Sequence, residues 1–247
     1  MLRIAGLVKR FGGVAASDGL DLEVRAGEVH AVIGPNGAGK STLIHQVSGA
    51  LAPDAGTIAF EGRDVTRLSM HERVAAGIAR SFQVTSVFAR LAVLDNVALA
   101  VQARTRSCFS FWRPAIEDVA AFGEAMRILD RVGLAARAGE AAGALSHGEQ
   151  RRLEMALALA TQARLLLLDE PMAGMDTAES EALVSLLHEL RAQCTLLLVE
   201  HDMDAVFRLA DRISVLVYGR VIATGTPGAI RANEEVRRAY LGDAMTA

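Results

Sequence analysis

Apolar and polar side chains alternate over Leu20–Val24, with Leu20, Leu22 and Val24 on one face and Asp21 and Glu23 on the other. That two-residue period is the mark of a strand with one face in water. A similar run lies between Gly56 and Gly62, so the first third predicts a half-exposed antiparallel sheet. Val29–Ile33 is instead an apolar run entering a glycine-rich loop, the pattern of a strand covered on both faces in a parallel sheet. From about Leu91 to Ala163 the pattern turns helical and alanine-rich, notably over Val93–Ala103, Ile116–Val132 and Gly148–Ala163, and predicts a helical insert. Leu165–Leu168 and Thr195–Val199 then read as short buried strands, separated by a helix that carries Leu183, Leu186, Leu187 and Leu190 on one face. Strand, helix, strand in that register predicts a right-handed parallel crossover. Arg212–Thr224 reads as a hairpin turning at Gly219, and Pro227 is placed to open a short helix.

Composition narrows the class of protein. The chain has 247 residues, 51% of them hydrophobic, enough for a substantial core. Its 26 basic and 29 acidic side chains leave a formal charge of -3, which is not the signature of a dedicated nucleic-acid binder. Cys108 and Cys194 are the only cysteines and lie outside any metal-binding spacing, so neither a disulfide framework nor a zinc site is expected. Met1–Arg10 does not read as a secretory signal. The longest apolar stretches, such as Met155–Ala160 and Leu165–Leu168, fall short of the roughly 20 residues that cross a bilayer. If the protein works at a membrane, another chain crosses it.

The chemistry concentrates in three strings. Gly34-Pro35-Asn36-Gly37-Ala38-Gly39-Lys40-Ser41 fits the nucleotide-phosphate loop, between a buried strand and a helix. Its glycines let successive N–H groups turn toward phosphate oxygens, Lys40 reaches the β and γ phosphates, and Ser41 can ligate Mg²⁺. Thr42 follows in the same helix turn and joins the expected nucleotide contacts. Leu165–Leu168 runs into Asp169 and Glu170: Asp169 is placed to hold Mg²⁺ through water, and Glu170 to orient or deprotonate an attacking water. The plain alternative is a strand followed by acidic capping residues. Ser146-His147-Gly148-Glu149 precedes a long helix and fits the S-x-x-E capping box. The same hydroxyl and free N–H groups would also bind a γ-phosphate, so both roles stay open.

With these strings in order, the chain resembles the ATPase subunits of ABC transporters over nearly its whole length. Phe11 stands where that family carries an adenine-stacking aromatic, with a core aromatic as the alternative. Gln83, in Arg80-Ser81-Phe82-Gln83, looks like the family's Q-loop glutamine, a catalytic and Mg²⁺-contacting position; Leu145–Gln150 looks like its signature motif, Ala173–Asp176 like its D-loop and His201 like its switch histidine. His147 and Glu149 depart from the usual glycine and glutamine, and Gly174 and Met175 from alanine and leucine. Ser146 and Gly148, the positions that approach phosphate in the family, are retained.

The resemblance implies a single α/β domain of the P-loop, RecA-like type. Its mainly parallel ATP-binding core, with an N-terminal antiparallel β subdomain, would comprise residues 1–86 and 164–247, and a helical signature subdomain residues 87–163. It implies ATP and Mg²⁺ as ligands: Phe11, Gly34–Thr42, Ser146, Gly148 and Asp176 at the nucleotide, Ser41, Gln83 and Asp169 at the metal, and Lys40, Gln83, Glu170 and His201 in catalysis. Two ATPase subunits, identical or paralogous, would meet head to tail at the cytoplasmic face of the inner membrane and drive separate permease subunits, with a substrate-binding protein as an indirect partner and no nucleic acid. Phe11-Gly12-Gly13, Arg80–Gln83, Gln150–Glu154, Glu200–Met203, Arg238–Gly242 and the stretch Gln102–Pro114 look most like the importers of branched-chain amino acids, and related amide and urea importers share much of this. Lipopolysaccharide-export ATPases, and soluble ABC ATPases acting on nucleic acid, are the alternatives. The substrate is contacted by other subunits, so its name rests on resemblance alone.

Overall fold

The computed structural model describes residues 1–80, 87–105 and 118–238. Among these, the strands form two sheets. The first has the order β2-β1-β4-β5, built from β1 (Leu2–Phe11), β2 (Val14–Val24), β4 (Ala55–Phe60) and the short β5 (Arg63–Asp64). All of its pairings are antiparallel. Leu20, Leu22 and Val24 are buried while Asp21 and Glu23 are exposed, as the alternation predicts. In β1 the alternation is broken: Leu2 and Ile4 are buried, then Leu7, because the register shifts between Ile4 and Leu7. Gly6, at φ 58, occupies that bulge.

The second sheet has the order β10-β9-β3-β8-β7-β6, from β3 (Val29–Ile33), β6 (Ile78–Arg80), β7 (Leu165–Asp169), β8 (Thr195–Val199), β9 (Arg212–Val217) and β10 (Arg220–Gly225). Its pairings are parallel except at the β9–β10 hairpin. That hairpin turns through Tyr218 and Gly219, at φ 48 and 76, the two left-handed residues of a type I′ turn. β3, β7 and β8 are buried at every position. Even His30 lies at 0% exposure, its ring bonded to Glu28 at 3.0 Å and to Ser214 at 2.8 Å.

Because side chains alternate across a strand, the same strands feed two cores. Leu166, Leu168, Leu196 and Leu198 enter one; Leu165, Leu167, Leu197 and Val199 enter the other. The second core also takes Leu43, Ile44 and Val47 of α1 (Lys40–Ser48) and the inner face of the antiparallel sheet. The first takes the helices between β6 and β8: α3 (Val93–Thr105), α4 (Val119–Arg131), α5 (His147–Ala160) and α6 (Thr177–Leu190). The short α2 (Met70–Ala75) precedes β6, α7 (Met203–Leu209) follows β8, and α8 (Pro227–Ala232) starts on its proline. No helix among the described residues is long and apolar enough to cross a membrane.

Candidate functional site: a phosphate loop and a split anion site

β3 leads into the loop Gly34–Gly39, which is pressed against neighbouring backbone. A Cβ on Gly34 would collide with the Leu216 carbonyl of β9, and one on Gly39 with the Ala16 carbonyl of β2. Gly39 also holds φ 104, where a side chain is strained, so glycine is required there twice over. As N-cap of α1 it offers no side chain to the first turn, which leaves those N–H groups for an anionic ligand. Lys40 is 7% exposed, and its Nζ donates to the carbonyls of Gly34 at 2.7 Å and Pro35 at 3.0 Å. Burial pulls its pKa down against the opposing pull of Glu170 and Asp169.

β7 ends in Asp169, whose Oδ2 accepts from Arg80 at 3.0 Å while Oδ1 is buried with no hydrogen-bond partner among the described residues. Burial raises the pKa of this carboxyl and Arg80 opposes the rise. Glu170 follows at φ 48, its N–H donating to Val199 at 2.8 Å. A non-glycine residue in that region costs on the order of 1 kcal/mol or more. The turn carries its side chain out of the strand to within 4.0 Å of His201 Nδ1. Glu200, at 1% exposure, fixes both flanks: Oε1 accepts from Met172 N–H at 2.9 Å and Oε2 from His201 N–H at 3.0 Å.

A second group surrounds the start of α5. Ser146 is its N-cap, with a full capping box to Glu149. Glu149 is also held by Arg137 at 3.0 Å, and the guanidinium together with the Ser146 N–H pushes its pKa down to about 2. Ser146 and His147 are exposed, whereas Gly148 is buried. Asp176 caps α6, its Oδ1 accepting from Glu179 N–H at 2.8 Å. Among the described residues no hydrogen bond or ion pair joins this group to Lys40. The molecule thus carries a buried phosphate cradle with acid and histidine beside it, and separately a capped helix N-terminus whose Ser146 and His147 stand in solvent.

Comparison with known proteins decides what this pair of half-sites is. A family model described as ABC transporter matches residues 17–173, and one described as branched-chain amino acid ATP-binding cassette transporter matches residues 220–245. The chain belongs to the ABC transporter ATPase family. It is 38% identical over 251 residues to the high-affinity branched-chain amino acid transport ATP-binding protein BraF of Pseudomonas aeruginosa, covering 99% of this chain and 98% of that one. It is 39% identical to the corresponding LivG protein of Salmonella typhimurium over the same shares. A nucleotide-free ATP-binding cassette from an ABC transporter superposes with TM-score 0.85 at 30% identity, covering 97% and 98% of the two chains. A cassette solved in its ADP conformation gives TM-score 0.85 at 31% identity, covering 98% and 99%. The protein is accordingly an ATP-binding, ATP-hydrolysing transporter subunit.

For this ABC ATPase the structure brings Lys40, Asp169, Glu170 and His201 together, with Ser41 and Thr42 half-buried in the first turn of α1 beside them. Ser146, Gly148 and Asp176 gather in the second group. Gln83 lies outside the described residues. Phe11 ends β1 and is 52% exposed, with Lys9 Nζ 5.8 Å from its ring centroid, which removes the core-aromatic alternative. Nothing in the sequence pattern assigns a role to Arg80, Glu200 or Glu179. Arg80 and Glu200 open the strings Arg80-Ser81-Phe82-Gln83 and Glu200–Met203, but ion pairing across the sheet from β6 to β7 leaves no local pattern.

Proposed function

We propose that the chain powers uptake of branched-chain amino acids, hydrolysing Mg-ATP between two ATPase subunits and driving separate membrane-spanning subunits. The substrate class is supported by the likeness to BraF and LivG across nearly the full length of each, and by the match over residues 220–245. Relatives named as ribose and galactose importers reach 38% identity too, but this chain spans only 45% of that protein.

The convergence of Lys40, Asp169, Glu170 and His201 carries the hydrolytic part. Mg²⁺ fits the oxygen donors present: the Ser41 hydroxyl and the buried Asp169 Oδ1, which has no hydrogen-bond partner among the described residues. When bound it would neutralise phosphate charge. In this reading the loop N–H groups and Lys40 cradle the β and γ phosphates, and Lys40 exchanges its two carbonyl bonds for phosphate oxygens. Arg80 opposes the rise that burial imposes on the Asp169 pKa and holds the carboxylate in place. Glu170 orients and deprotonates the attacking water, and His201 stands at the γ-phosphate. Phe11 stacks on adenine. Ser146 and Gly148 meet the γ-phosphate held by the partner subunit, so each ATP lies between two chains.

The route to the membrane subunits starts at an apolar cleft of about 320 Å³ lined by Met70, Val74, Phe88, Leu99 and Leu157, with Arg80 also in its wall. Phe88 is 62% exposed there. A helix of a permease subunit docked in this cleft would touch the residue that holds Asp169, and we propose that motion passes that way, with residues 87–163 shifting as a unit against the core. The chain would then sit peripherally on the cytoplasmic face of the membrane. The reading is tested by assembling the chain with the permease and substrate-binding proteins of its importer in vesicles. Leucine, isoleucine or valine is expected to stimulate ATP hydrolysis and to accumulate; stimulation by sugars and not by these amino acids would overturn the substrate class.

A further inference from the structure

Gly148 is buried although Ser146 and His147 beside it are exposed. Glu179, in the first turn of α6, covers it: a Cβ added to Gly148 would collide with the Glu179 carboxylate. This carboxylate therefore rests on the first turn of α5, where backbone N–H groups without helical partners and the helix dipole favour an anion. Its Oε2 also accepts from the Asp176 N–H at 3.3 Å, completing the cap of α6. A second contact runs alongside. The His147 ring lies over Gly174, with Cε1 3.4 Å from where a Cβ on that glycine would stand. The start of α5 is thus clasped at two points, by the Glu179 carboxylate of α6 and, through His147, by Gly174 in the loop that precedes α6.

We propose that Glu179 is an internal stand-in for phosphate: it covers Gly148 while the half-site is open, and the γ-phosphate arriving from the partner subunit displaces it. The proposal rests on the reading of Ser146 and Gly148 as contacts across the dimer. A carboxylate and a γ-phosphate repel at close range and cannot share the approach to Gly148. Of the two, the carboxylate sits on a flexible side chain and can swing away. Since the same carboxylate caps α6 through Asp176, its departure loosens the loop that follows Glu170. Release of that loop is thereby tied to phosphate being in place, and subunit pairing requires more ATP than it would without the clasp.

Glu179→Gln tests this, because glutamine serves as well as glutamate in a capping box but carries no charge. The variant is made in a Glu170→Gln background to suppress turnover and mixed with the ATPase subunit that the chain pairs with. The Mg-ATP concentration for half-maximal pairing, read by light scattering, is expected to fall about three- to tenfold. Glu179→Ala is expected to move it the same way, with a lower thermal midpoint from the lost cap. An unchanged or higher ATP requirement in either folded variant overturns the clasp. Ser146→Asp separates the two layers of the argument. If it pairs as well as its parent, the trans contact fails and the clasp with it; if it does not pair while Glu179→Gln leaves the requirement unchanged, the clasp alone fails.

Discussion

The phosphate loop and the start of α5 are both helix N-termini built to face an anion, yet they are finished in opposite ways. At α1 the N-cap is a glycine with nothing to offer the first turn, the loop is wedged between the carbonyls of Ala16 and Leu216, and Lys40 is buried against its own backbone. At α5 the N-cap is a serine in a complete capping box, a carboxylate covers Gly148, and Ser146 and His147 stand in solvent. The first is shaped by backbone packing around a buried lysine. The second is locally satisfied. On the proposed reading, the first is a site that binds and the second a site that responds to what another subunit has bound.

The sharpest way to break the first half is Arg80→Ala. It strands the Asp169 carboxylate in the sheet with neither oxygen paired among the described residues, and about 3–5 kcal/mol of stability is expected to be lost, measured by denaturant unfolding. A loss below about 1 kcal/mol would show that Asp169 is held by something other than Arg80. Glu170→Gln comes next: turnover is expected to drop on the order of 10²-fold or more, about 2.7 kcal/mol in the barrier, with ATP binding kept. Near-normal turnover would reduce Glu170 to a turn residue. Phe11→Ala is expected to weaken ATP binding by about 1–3 kcal/mol in titration calorimetry, on the scale of aromatic-base stacking; an unchanged affinity would leave the exposed ring idle.

The smallest effect lies in the second half. Glu149 has its pKa lowered to about 2, so its pairing with Arg137 adds stability above the ordinary carboxylate range, near pH 4.5, and loses it as pH falls through about 2. Arg137→Ala is expected to cost about 0.5–1 kcal/mol at neutral pH, since the pair is partly exposed, and nothing below pH 2. The acid limb of the unfolding curve then begins at higher pH. A curve that superposes on the parent's would mean that the capping box alone sets the Glu149 pKa.

Much of this was legible in the sequence because each piece has a local cause. The alternation at Leu20–Val24, the leucine face of α6, the Tyr218–Gly219 turn and the phosphate loop depend on near neighbours and on period. The Gly6 bulge disturbs the alternation of β1 by one residue, and β6 is only three residues long, so neither leaves a periodic signal. The strand order across the six-stranded sheet is likewise non-local. Within the site, the glycines and Lys40 announce themselves by spacing, while Arg80, Glu200 and Glu179 act on residues far away in the chain or across a loop. Glu179 in particular reads as a routine N3 glutamate, and only its contact with Gly148 at the start of α5 shows what else its carboxylate covers.

Division of the ATP site between two chains stands or falls at Ser146. Aspartate caps a helix as well as serine does, but it would face a γ-phosphate with like charge. The measurement is the paired fraction with Mg-ATP of Glu170→Gln, with and without Ser146→Asp, in the presence of the ATPase subunit with which the chain pairs, together with the thermal midpoint without nucleotide. An unchanged midpoint with pairing lost is the predicted result; an unchanged midpoint with pairing intact would leave Ser146 a cap and contradict a divided site.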